Sequence, residues 1–118
     1  MKRYDVRPRI RITDDQGVIA IGPGKADLLA AIAASGSIRA AAGELGMSYM
    51  RAWTLVKTMN AAFRSPLVEK LRGGSHQGGA RLTDRGQAVL GLYRQMEKSA
   101  SAAISPEWRR MRRQLAGR

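Results

Sequence analysis

The chain has 118 residues, the length of a single domain, and its hydrophobic fraction of 44% argues against wholesale disorder. Cysteine is absent, which excludes disulfides and thiolate chemistry, and no apolar run approaches the roughly 18 residues of a membrane span. Twenty-one Lys and Arg against nine Asp and Glu give a net charge of +12. This charge favours nucleic acid as the partner, before an anionic membrane surface or a merely solvated basic exterior. Because the first residues lack the apolar region of a signal peptide, we expect a cytoplasmic, nucleoid-associated protein that does not bind membranes.

Residues 8–21 are predicted to form an amino-terminal β-hairpin. A strand of alternating basic and apolar residues leads into turn chemistry at residues 14–17, and an apolar, β-branched strand returns. Pro23 then suits the first turn of a helix, and we expect the first helix over residues 25–34.

The next two predicted helices, residues 38–45 and 48–63, form a helix-turn-helix. Gly46 provides the turn between them, because a side chain there would resist a positive φ. Ala41 and Ala42 are small enough to let the two helices approach closely where they cross. The order and spacing of these residues are typical of a DNA-reading motif.

The helix over residues 48–63 has two faces when its residues are placed 100° apart. Its core face is expected to hold Ala52, Leu55, Val56, Met59 and Phe63. The residues expected to contact duplex DNA are Ser48, Tyr49, Met50, Arg51, Trp53, Thr54 and Lys57. Within that set Met50 and Thr54 suit thymine methyl groups, while the cations suit guanine or phosphate. The alternative for Met50 and Trp53 is that they pack against the hairpin and never contact DNA.

Residues 67–82 are predicted to form a wing of two short strands around a glycine-rich loop. Arg72, His76 and Arg81 are expected to lie along the phosphate backbone or in the minor groove. The alternative is an ordinary flexible hairpin tip. His76 is the only histidine, and without cysteine it has no partners for a metal site. We therefore expect no metal and no cofactor.

A long helix over residues 83–104 completes the predicted domain, which spans residues 1–104, and residues 105–118 form a basic tail. The apolar stripe of this helix contains Val89, Leu92, Tyr93 and Met96, and we expect it to mediate a homodimer. A twofold dimer would match an inverted-repeat operator. The alternative is that the stripe packs back on the first helix. The predicted fold is mainly α with a small β component: a winged helix-turn-helix with an amino-terminal hairpin and a long carboxy-terminal dimerisation helix.

Several short segments match one known family in order. They are Gly22-Pro23-Gly24-Lys25, Ser35-Gly36-Ser37-Ile38, Gly46-Met47-Ser48-Tyr49, Ala52-Trp53, Leu55-Val56, Met59-Asn60, Pro66-Leu67-Val68-Glu69, Gly78-Gly79-Ala80-Arg81-Leu82-Thr83 and Gly86. On these segments, residues 20–98 resemble the amino-terminal DNA-binding domain of ModE-type molybdate-responsive regulators. They are also similar to LysR-type heads, which usually lack the Ser48-Tyr49 and Ala52-Trp53 pattern and this glycine-rich wing.

The resemblance implies a winged helix that dimerises and represses or activates transcription from an inverted-repeat operator in double-stranded DNA. Full-length members of the family sense molybdate or tungstate in a second, oxyanion-binding domain. Only twenty residues follow Lys98, too few for that domain. The expectation is therefore a regulator of molybdate or tungstate transport, or of molybdenum-related genes, in which molybdate or tungstate binding within the chain is not expected.

Two other functions stay open. A winged helix can serve as a protein-interaction module, since function depends on sites rather than on fold. A basic winged helix can also package DNA without sequence preference, as nucleoid proteins do. An enzyme is not expected, because the chain has one histidine, no cysteine and no paired carboxylates at catalytic spacing.

Overall fold

The computed structural model describes residues 2–72 and 78–117. Its elements in chain order are β1 (Ile12–Thr13), β2 (Ile19–Ile21), α1 (Pro23–Ser35), α2 (Ile38–Glu44), α3 (Tyr49–Ala62), β3 (Val68–Lys70), β4 (Ala80–Leu82), α4 (Asp84–Ala103) and α5 (Ser105–Arg112). The strands pair as two separate antiparallel hairpins, β1 with β2 and β3 with β4. The predicted fold class, mainly α with a small β component, is confirmed.

The core lies where α1, α2 and α3 meet. Leu28, Leu29 and Ile32 of α1 are completely buried, and Val56 and Met59 of α3 pack in the same cluster. Alanines at the helix crossings are also buried, namely Ala41, Ala42 and Ala52. Their small side chains allow the backbones of α2 and α3 to approach closely, so α3 packs directly against α2.

Hydroxyl side chains cap the amino ends of three helices. The Ser37 side chain accepts a hydrogen bond from the Ala40 N–H, Ser48 accepts one from Arg51, and Thr83 accepts one from Gly86. The bend between α2 and α3 is made by Gly46, whose φ of 69° is left-handed and favours glycine.

The base of the wing is fastened to α3 by one amide side chain. Asn60 Oδ1 accepts hydrogen bonds from the backbone N–H groups of Leu67 (2.8 Å) and Val68 (3.1 Å), and Asn60 Nδ2 donates to the Val68 carbonyl (3.1 Å). The Thr83 hydroxyl donates to the Pro66 carbonyl at 2.7 Å. These bonds set the position of the β3–β4 hairpin relative to α3.

Gly86 lets the start of α4 lie directly against the segment before β3. A Cβ atom at this position would collide with the backbone carbonyl of Leu67. The glycine is therefore required by a close approach of two backbones, since its helical φ is one that any residue adopts.

The amino-terminal hairpin is shorter than expected. The pairing comprises only Ile12 with Ile21 and Thr13 with Ile19, although strand alternation starts at Arg9 in the sequence. The reason lies in α4, where the Tyr93 hydroxyl donates a 2.7 Å hydrogen bond to the Ile10 carbonyl. The segment before Ile12 therefore bonds to a helix rather than extending the ladder.

The carboxy-terminal part of the chain is helical throughout most of its length. α4 has twenty residues, or about 30 Å of helix, and the molecule measures 57 × 35 × 24 Å along its principal axes. The helix ends at Ala103, and Pro106 lies in the first turn of α5, which occupies much of the predicted basic tail. Within the described residues, no helix is both long and apolar enough to cross a bilayer.

Candidate nucleic-acid interface

α3 presents an uncovered face on the side away from the core. Met50 is 68% exposed, and Thr54 and Lys57 are exposed beside it. The alternative in which Met50 packs against the hairpin is therefore wrong. The Thr54 hydroxyl donates to the Met50 carbonyl at 2.9 Å, so its proton is used within the helix while its oxygen can still accept a bond. This face offers a thioether, a hydroxyl and an ammonium group to a partner.

The amino end of α3 is built from a cap and a stack of cations on aromatic rings. Ser48 is occupied as the helix cap through the Arg51 N–H. The guanidinium of Arg39 lies 4.6 Å from the centre of the Tyr49 ring, and Lys70 Nζ lies 4.1 Å from the centre of the Trp53 ring. Such contacts are worth about 0.5–1 kcal/mol each at exposed sites.

Lys70 connects this end of α3 to the wing. Its ammonium group also donates to the Tyr49 hydroxyl at 3.3 Å, so one cation of β3 joins two aromatic residues one helical turn apart. Trp53 is half-buried and packs against the core cluster, and its contact with DNA stays a prediction. Arg39 and Lys70 were not among the predicted site residues. The one available signal was the spacing of four between Tyr49 and Trp53, which puts both rings on one side of α3.

The wing cations differ in their surroundings. Arg81 forms a 2.9 Å ion pair with Glu69, its partner across the β3–β4 ladder, so its charge is partly neutralised. Exposed pairs of this kind contribute about 0–1 kcal/mol, and a phosphate can compete for the arginine. Arg72 is exposed. His76 lies outside the described residues.

Among the described residues, the cations on α3 itself have no carboxylate partners. The ion pairs within the described residues join Arg7 to Asp5, Arg81 to Glu69, and Arg94 to Asp27 and Glu97. Neither Arg51 nor Lys57 takes part in one of these pairs. Cations that have no carboxylate partner among the described residues and lie on or beside an exposed helix face attract a polyanion.

The predicted dimerisation stripe divides between two surroundings. Tyr93 is 1% exposed and belongs to the core, so it is not available to a partner; Val89 is half-buried against the same cluster. Leu92 and Met96 are 66% and 40% exposed. The stripe is wide enough for its residues to face two sides of α4. One side packs against α1 and the hairpin, and the other is exposed to solvent. Burial, with a further contribution from Glu97, raises the pKa of Tyr93 and keeps its hydroxyl protonated as the donor to Ile10.

The residues described at positions 2–72 and 78–117 contain no group of three or more histidine, cysteine or carboxylate side chains placed to hold a metal ion. The groups that the surface around α3 presents can form hydrogen bonds, make apolar contacts and attract negative charge.

Comparison with known proteins places this surface in a family context. Residues 25–87 match the family described as bacterial regulatory helix-turn-helix protein, lysR family. The molybdenum-pterin-binding protein MopA of Rhodobacter capsulatus is 41% identical over 88 residues, covering 75% of this chain and 33% of MopA. The molybdenum transport protein ModE of Azotobacter vinelandii is 36% identical over 81% of this chain and 35% of its own length. The transcriptional dual regulator ModE of Escherichia coli K12 is 44% identical over 60% of this chain and 27% of its own.

The chain spans about a third of the length of these curated relatives. Among solved structures, the CbnR DNA-binding domain in complex with DNA superposes with a TM-score of 0.59 at 23% identity, over 75% of this chain and 95% of that one. Full-length CbnR complexed with its target DNA gives a TM-score of 0.54 at 25% identity, over 74% and 28% of the two chains. The winged helix-turn-helix fold predicted from the sequence is confirmed by these likenesses.

Proposed function

This chain belongs to the LysR family of bacterial regulatory helix-turn-helix proteins, and from that premise we propose that it is a sequence-specific DNA-binding transcription regulator. One observation carries the proposal: the face of α3 that holds Met50, Thr54 and Lys57 is open to solvent, and its cation has no carboxylate partner among the described residues. An α-helix fits the major groove of B-DNA, where the four base pairs present distinct patterns.

Roles within that face follow from chemistry. Met50 and the methyl group of Thr54 suit the methyl groups of thymine, which project into the major groove. Lys57 lies on this face and Arg51 on its flank, and their long side chains can reach phosphates or the acceptors of guanine. In this proposal Met50 and Thr54 carry base preference, and Lys57 carries affinity.

The names of the relatives indicate which genes are the targets. They include two molybdenum transport proteins and two molybdenum-pterin-binding proteins, and the segment aligned with this chain overlaps the matched helix-turn-helix region. We propose that the regulated genes concern molybdate or tungstate transport or other molybdenum-related functions.

The proposed regulator acts as a homodimer through α4. Leu92 and Met96 form an exposed apolar strip one turn apart on this helix, and Tyr93 beside them stays in the core of its own protomer. A second copy of the chain is the occupant that the strip fits best, because a twofold pair would present two α3 helices to an inverted repeat. Half-sites of such a repeat lie about 34 Å apart, one turn of DNA.

The test begins with selection of binding sites from a random duplex library by the full chain. The selected duplex is expected to bind at least about 10³-fold more tightly than random duplex at physiological salt. Thr54→Ala and Met50→Ala should lower that ratio, whereas Lys57→Ala should weaken selected and random duplexes by similar factors. Equal affinity for all duplexes would refute the proposal and indicate a packaging protein instead.

A further inference from the structure

A groove of about 650 Å³ runs along α3 on the side away from the wing. One wall is the flank of α3, and the other is the amino-terminal hairpin with the start of α1. The lining residues on α3 are Arg51, Leu55, Thr58 and Ala62. Facing them, the hairpin contributes Arg9, Arg11, Val18 and Ile19 among others, and α1 contributes Lys25.

The charges around this groove are strongly unbalanced. Arg9, Arg11, Lys25 and Arg51 line it, and none of them takes part in the ion pairs found within residues 2–72 and 78–117. Among the described residues that line the groove, the one carboxylate is that of Asp14, which already accepts two turn hydrogen bonds from the Gln16 and Val18 N–H groups at 2.9 Å. Four cations face one carboxylate that is already used locally, so the groove attracts an anion.

Hydrogen bonds to α4 and α1 hold the hairpin in position beside α3. The Tyr93 hydroxyl bonds to the Ile10 carbonyl at 2.7 Å, and Lys25 Nζ donates to the Ile19 carbonyl at 2.6 Å. Ile21, at the end of β2, is 1% exposed within the core. Each strand segment is therefore tied to a helix, and the arginines it carries start from a fixed backbone.

The periodicity of α3 places the hairpin and the wing on opposite sides of the DNA-facing surface. At about 100° per residue, Trp53 lies on one side of the Met50–Thr54–Lys57 face and Arg51 on the other. Trp53 contacts Lys70 of the wing, and Arg51 lines the hairpin groove. A helix in the major groove has a phosphate strand on each side, because its diameter of about 10–12 Å fills the groove width of about 12 Å.

We propose that the hairpin over residues 8–21 is a second phosphate clamp, in which Arg9 and Arg11 contact the duplex strand that the wing does not reach. The inference rests on the proposed DNA-binding function and adds a surface to it. The occupant is the sugar–phosphate backbone of duplex DNA, since the groove is continuous with the α3 face through Arg51 and its charge is complementary. These contacts position the protein and carry no base preference.

The experiment compares two charge-matched double variants on the selected duplex. Arg9→Gln with Arg11→Gln removes the hairpin cations but keeps their length, and Arg109→Gln with Arg110→Gln removes two exposed arginines of α5 as the control. Each neutralised phosphate contributes about 0.9 to the slope of log Kobs against log salt, so the hairpin variant should lose about 1.8. The factor by which the hairpin variant binds more weakly than wild type should then shrink about 12-fold between 50 and 200 mM salt.

A second measurement identifies the strand. Single methylphosphonate substitutions in the duplex should weaken wild-type binding at one or two phosphates beyond the α3 contacts, and the hairpin variant should be insensitive to the same substitutions. The hairpin variant should match the control variant in its thermal unfolding midpoint and in the ratio of its affinity for the selected duplex to its affinity for random duplex. If wild type prefers its selected duplex but the hairpin variant keeps the wild-type slope, the clamp is wrong and the proposed function stands. If wild type binds no duplex, both proposals fail.

Discussion

Asn60 is the residue whose replacement most directly tests how the wing is held against α3. Its side chain makes three hydrogen bonds to the backbone at Leu67 and Val68, which are 0% and 4% exposed. Asn60→Ala removes all three and leaves two buried N–H groups without an acceptor. At about 0.5–1.5 kcal/mol per bond, the free energy of unfolding should fall by about 1.5–4.5 kcal/mol. That is a large part of the 5–15 kcal/mol typical of a domain.

Urea denaturation followed by circular dichroism measures this loss. Asn60→Asp keeps the oxygen that accepts from both N–H groups but replaces the donor to the Val68 carbonyl, so it should fall between wild type and Asn60→Ala at pH 7. Thr58→Ala, on the exposed part of α3, is the control and should change stability by no more than about 0.5 kcal/mol. An Asn60→Ala protein as stable as this control would show that the wing is held by other contacts.

Three further predictions concern close backbone approach, assembly and pH dependence. Gly86→Ala should lower the free energy of unfolding in urea by about 1–3 kcal/mol, because the Cβ of the new alanine has no space. Gly91→Ala, in open space on the same helix, should raise it by about 0.5–1 kcal/mol. Equal effects of the two substitutions would refute the close contact at Gly86. Leu92→Glu with Met96→Glu should convert the proposed dimer into a folded monomer in sedimentation equilibrium, and an unchanged mass would place the interface elsewhere. The pKa of Tyr93 is raised in the folded protein, so the stability that its protonated hydroxyl contributes is complete below the unfolded pKa near 10 and is lost as pH rises through the folded pKa. Tyr93→Phe should flatten this alkaline loss of stability when unfolding is measured as a function of pH. An unaltered pH profile would contradict the raised pKa of Tyr93.

Much of the secondary structure could be predicted because its causes are local. The caps at Ser37, Ser48 and Thr83 act on N–H groups three residues away, and Gly46 acts on its own φ. α3 begins one residue after its predicted start and ends one residue before its predicted end. The buried triplet of Ala52, Val56 and Met59 follows from helical periodicity alone.

The candidate site was less predictable, since its geometry joins residues that are distant in the sequence. Arg39, Tyr49 and Lys70 come together from α2, α3 and β3. Nothing local distinguishes Lys70 from the other lysines of the chain, and the contact depends on the register that puts β3 beside α3. The DNA contacts of the predicted residues stay a prediction, to be tested by the selection experiment.

Short-range patterns of capping, turn and apolar residues were sufficient to define the helix-turn-helix, the wing strands and the identity of the exposed α3 face. Their physical basis is interaction within one turn of helix or one hairpin, which the order of residues already contains. Three-dimensional packing was needed to assign Tyr93 to the core and Leu92 to the surface, and to bring the basic hairpin alongside α3. Which side chains become buried depends on which apolar faces of the elements pack together. The hydrophobic effect is non-directional, so this pairing is determined by the packing of the whole fold and not by any local pattern.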